Sequence, residues 1–74
     1  MSETTIALTL QLLQWLAARP RDYREVMEAW RTSCPRLTIW EDAWSDGLLA
    51  RDPDTGQVAV SEKGRALLDR QARR

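Results

Sequence analysis

Histidine and phenylalanine are absent from the 74 residues, and cysteine occurs once, as Cys34. Without a second thiol there is no intrachain disulfide. Without an imidazole there is neither a recognisable metal site nor a base to activate Cys34, which proline follows. No cofactor or metal is therefore expected, and a lone thiol fits a reducing compartment, the cytoplasm. Net charge is missing too: 11 Lys and Arg balance 11 Asp and Glu, so any attraction to nucleic acid must come from local clusters. No uninterrupted apolar run approaches the ~20 residues of a membrane helix, and no basic-then-apolar leader opens the chain, so no membrane partner is expected. A chain of this length reads as one domain, 1–74, burying only about 60% of its unfolded surface and leaving no room for an enzyme cleft. The acidic residues form no catalytic or calcium pattern. Glu41 and Asp42 project about 100° apart on a helix, and Asp52, Asp54 and Gln57 lack the remaining loop ligands.

What is present is concentrated between Leu37 and Leu68. Thr38 and Glu41 have the spacing of a capping box, in which hydroxyl and carboxylate satisfy amides at a helix start. Gly47 ends that helix by taking the left-handed conformation that costs other residues more. Asp52-Pro53-Asp54-Thr55-Gly56 is a turn signal, so Leu48–Arg51 is predicted to pair with Gln57–Val60 as a hairpin. Ser61 can cap a last helix, and Gly64 in its first turn lets that helix lie close against the hairpin.

Upstream, Thr4 or Thr5 offers a cap for a helix from about Ile6 to Arg19, stopped by Pro20. Its apolar arc is broad: Ile6, Leu10, Leu13 and Ala17 line one stripe, and Leu8, Leu12, Trp15 and Leu16 the adjoining one. The surplus stripe around Leu8, Leu12 and Trp15 either buries against a second copy or another protein, or lies under the last helix and the hairpin. Asp22 and Glu25 form another capping box, for a helix from about Tyr23 to Thr32 with Val26, Met27 and Trp30 inward. Ser33-Cys34-Pro35-Arg36 breaks the pattern, and the spacing allows the third helix to start at Pro35 or at Thr38. The fold class is then α+β, mostly α: a three-helix core, a two-stranded wing and a short C-terminal helix, which is a winged helix-turn-helix.

The stretch GLLARDPDTGQVAVSEKGRALL closely resembles the wing of MarR-type and PadR-type bacterial transcriptional regulators. Gly47, Leu48, Ser61, Lys63, Gly64, Arg65, Leu67 and Leu68 stand at matching places, and with the upstream helices the resemblance spans roughly Ile6 to Arg70. It implies a DNA-binding regulator whose third helix enters the major groove and whose wing approaches the minor groove.

On that reading the third helix presents Thr38, Glu41, Asp42 and Ser45 outward, while Arg24, Arg31, Arg36, Arg51, Lys63 and Arg65 are the expected phosphate contacts. The same arginines can instead be a solvated face paired with neighbours such as Asp22, Glu25 and Glu28. One departure from the family pattern stands out. Residues 37–60 carry Glu41, Asp42, Asp46, Asp52 and Asp54 against Arg51 alone, in the part that should approach phosphates. Carboxylates can accept from cytosine N4, but they repel the backbone. An alternative follows: a winged helix that binds protein and not DNA. Trp40 and Trp44, four apart on one flank of the third helix, are its candidate contacts, although a domain without Phe also needs its Trp residues for a core.

Overall fold

The helices break where the sequence is punctuated by proline and glycine. The computed structural model describes residues 3–30 and 36–72. In chain order these form α1 (Glu3–Ala18), α2 (Tyr23–Trp30), α3 (Arg36–Ser45), β1 (Leu49–Arg51), β2 (Val58–Val60) and α4 (Glu62–Ala72). The fold is small, mostly helical and α+β, with one two-stranded antiparallel sheet among the described residues.

Helix α1 starts earlier than expected, at Glu3, so its backbone already runs through Thr4 and Thr5. Its buried face also differs. Leu12, Leu13 and Leu16 are the fully buried residues, with Thr9 beside them, whereas Ile6 remains 39% exposed. At 100° per residue this core-facing direction bisects the two apolar stripes. The polar residue on the bisector is Thr9, whose hydroxyl donates to the Thr5 carbonyl at 2.8 Å and so enters the core already satisfied.

Asp22 precedes α2, and its carbonyl accepts the first helical bond from the Val26 amide. The expected box is not completed by Glu25, whose carboxylate turns to Arg19 and Arg21. Val26 and Trp30 are buried and Met27 is half-buried, as the periodicity requires. The expected end of this helix at Thr32, and the turn Ser33 to Pro35 with Cys34, lie outside the described residues.

Helix α3 begins at Arg36, which places Thr38 inside the first turn. The Thr38 and Glu41 pair is therefore not a capping box. Gly47 closes the other end with φ +74°. Its amide donates to the Trp44 carbonyl and the Leu48 amide to the Ala43 carbonyl, the paired bonds of a Schellman motif. Both apolar partners of that motif, Ala43 and Leu48, are buried.

The hairpin pairs Leu49 with Val60, Ala50 with Ala59 and Arg51 with Val58, one residue shorter on each strand than the turn signal implies. Asp52 organises the turn by accepting from the Asp54 and Thr55 amides. A third segment, missed in the sequence, joins on the other side of β2: Arg21 and Val58 exchange both backbone hydrogen bonds, at 2.9 and 2.7 Å.

Ser61 caps α4 as expected, accepting the Gly64 amide at 3.1 Å while its hydroxyl donates to the Gly47 carbonyl at 2.6 Å. A β-carbon on Gly64 would meet Val60 at 2.6 Å and the Leu48 carbonyl closer still. That vacancy lets α4 close the domain over the hairpin. Leu12, Leu13, Val26, Trp30, Ile39, Trp40, Leu48, Leu49, Val58 and Val60 form one core from all of the elements beneath it.

Candidate nucleic-acid interface

The amphipathic pattern of α3 fixes which side it shows. Ile39, Trp40 and Ala43 are buried, and Thr38, Glu41, Asp42 and Ser45 are exposed. Behind the exposed face, Trp40 meets Tyr23 and Trp44 edge to face, with ring centres 6.1 and 5.4 Å apart. The end of α3 is fastened to the start of α4 by the Ser61 hydroxyl on Gly47 and by Lys63, whose ammonium donates to the Asp46 carbonyl at 2.6 Å. A cation at a helix C-terminus also meets the negative end of the helix dipole. A polar face is thus held on a rigid mount. It is acidic: the Glu41, Asp42 and Asp46 carboxylates have no cationic partner among the described residues.

The expected phosphate contacts fall into two groups. Arg24 and Arg65 are exposed, and their side chains take no partner among the described residues. Arg36, Arg51 and Lys63 already hold the fold together. Arg36 donates to the Ala29 carbonyl at 3.0 Å and lies 5.1 Å from the Trp30 ring centre. Arg51 donates to the Gly56 carbonyl and lies 5.0 Å from Tyr23, bracing the hairpin against α2. All three remain exposed, so these bonds position them without removing them from solvent. Arg31 lies outside the described residues.

Arg21 was not among the expected site residues, and its role is architectural. Its guanidinium stacks 4.3 Å from the Trp15 ring centre, donates to the Trp15 carbonyl and to Glu25, and buries Nε with no partner among the described residues. Hydrogen bonding from Arg21, with the added charge of Arg19, holds the Glu25 carboxyl below the usual carboxylate range. No signal in the sequence separates this arginine from its exposed neighbours.

The expected protein-contact residues are corrected by burial. Leu12 is 0% and Trp40 4% exposed, so both belong to the core of this chain. Leu8, Trp15 and Trp44 are half-buried and packed against it. Among the described residues, the large apolar side chains left exposed are Ile6 and Tyr23. Among the described residues no group of His, Cys, Asp or Glu could hold a metal ion, and no helix is long and apolar enough to cross a membrane. Compared with protein-family models, with curated proteins and with solved structures, the chain matches none.

Proposed function

We propose that the chain is a winged helix-turn-helix module that binds double-stranded DNA, of the kind found in MarR-type and PadR-type bacterial transcriptional regulators. The observation that carries this reading is the order of elements joined by the Arg21 bridge. After α1, one residue pairs with β2, then α2 and α3 follow as a helix pair, then the hairpin. That order sets α3 beside a wing with its polar face outward, the posture of a recognition helix over a major groove. Thr38 and Ser45 supply neutral donors and acceptors there, and Glu41 and Asp42 suit cytosine N4. Arg24 and Arg65, exposed and without a partner among the described residues, are available to phosphates, and Arg36, Arg51 and Lys63 are exposed and braced by their own hydrogen bonds.

A second reading, a winged helix that docks on a basic protein surface, is favoured by the α3 carboxylates, which have no cationic partner among the described residues. Titrating amide-labelled protein with an arbitrary duplex at low and at high salt separates the two. Shifts along α3 and the hairpin that vanish as salt rises support the DNA reading. Unmoved signals at low salt overturn it and leave the acidic face to a protein partner.

A further inference from the structure

The strongest unassigned feature is a groove of about 340 Å³ between α1 and α4, bordered by the buried Thr9 and Leu48. We propose that it binds a free medium-chain aliphatic carboxylate. Its floor is Ile6, Leu10, Leu48 and Leu67, all aliphatic, so it offers a flexible hydrocarbon tail close contact but gives an aromatic ring nothing to stack on. Ile6 is 39% exposed, so an occupant removes from water apolar surface that the fold itself leaves wet.

The mouth selects the head group. Asp46, Lys63 and Arg70 are the charged residues around it. Lys63 is held on the backbone carbonyl of Asp46 and makes no ion pair with the Asp46 carboxylate, so among the described residues the mouth carries two basic groups and one acidic group. Arg70 is the cation without a hydrogen bond: its guanidinium is exposed and takes no partner among the described residues. The Gln71 amide stands next to it, and the Thr9 hydroxyl, having donated to the Thr5 carbonyl, keeps acceptor capacity only. Among the described residues, two cations against one carboxylate leave an excess of one positive charge above an aliphatic floor, which fits one negative charge on an alkyl chain. The volume lies at the low end of small-ligand sites, about 300 to 1,000 Å³, which favours a medium chain over a long one.

The test uses the full chain, amide-labelled and titrated with sodium octanoate below its micelle concentration, with octanol and octyltrimethylammonium as probes of tail and charge. Saturable shifts at Ile6, Leu10, Leu67 and Arg70 are expected with octanoate. Affinity should rise at least about twofold per added methylene from hexanoate to octanoate, since full burial of a methylene is worth about fourfold. Arg70→Gln, on an exposed helix surface, should weaken octanoate about tenfold and leave octanol unchanged, the size of a charge-assisted hydrogen bond. Equal binding of octanoate and octyltrimethylammonium overturns the proposal, as does indifference of octanoate to Arg70→Gln. Groove signals that move only with phosphatidylglycerol vesicles assign the site to a lipid surface and overturn it. A sedimenting mass of two chains without ligand, with the same signals shifting on dilution, gives the groove to a second copy and overturns it too.

Discussion

Gly64 has a β-carbon's worth of space taken by Val60 and the Leu48 carbonyl. Alanine there improves helix propensity by roughly 1 kcal/mol, but the backbone oxygen cannot yield as a side chain would. Gly64→Ala is expected to destabilise by about 1–3 kcal/mol, read as a lower urea midpoint at unchanged slope. At Glu25 the lowered carboxyl pKa sets the sign of a pH effect. The folded state binds its proton more weakly than the unfolded chain, so the stabilisation is present above the ordinary carboxylate range. It is lost as pH falls through the folded value. Glu25→Gln should flatten the acid limb of a stability curve and leave the neutral limb's slope as it was, checked by thermal melts across pH. At this scale the sequence was legible where the chemistry is local. Ser61 and Gly47 need only their immediate neighbours to act as caps, and both do. Arg21 was illegible because what distinguishes it is a backbone pairing with Val58, far along the chain.

Among the elements, α3 settles between the two roles open to its tryptophans. Trp40 and Trp44 share a flank, yet Trp40 is wedged between Tyr23 and Trp44 and reaches the core with Ile39 and Ala43. Trp40→Ala is accordingly expected to cost about 3–5 kcal/mol, a large fraction of what so short a domain has, and to abolish the cooperative denaturant transition. A folded Trp40→Ala variant with near-native stability would remove Trp40 from the core. For α1 the helix itself was plain from its apolar period, but not the face. The pattern offered two stripes, and the core took Leu13 from one and Leu12 and Leu16 from the other, with Thr9 between them. A periodicity argument that scores threonine as polar cannot find a direction centred on one. The third helix's start was ambiguous for a similar reason, since Thr38 resembles a cap wherever it stands in the first turn.

For the molecule as a whole, balanced charge conceals a division. Acidic groups crown α3 and the hairpin turn, while Arg24 and Arg65 stand exposed with no partner among the described residues. If DNA is bound, each free arginine replaced by alanine should weaken affinity about equally across sequences and reduce the salt slope by about one. Glu41→Gln should leave affinity unchanged or raise it, because it removes a charge that opposes phosphate. Fluorescence anisotropy with two unrelated duplexes over a salt series reads both. Equal slopes for the parent and the Arg24 and Arg65 variants would exclude those side chains from the contact. The α+β class, the hairpin and the capped last helix were all legible beforehand. What the exposed faces meet was not, since sequence pattern reports which side a residue takes and not what lies against it. The Ser61 hydroxyl, bonded at once to the end of α3 and the first turn of α4, has a consequence in time as well as in shape. Neither helix end can fray without releasing the other, so in hydrogen exchange the last turn of α3 and the first turn of α4 should open together with a single protection value. Ser61→Ala should split that shared value into two.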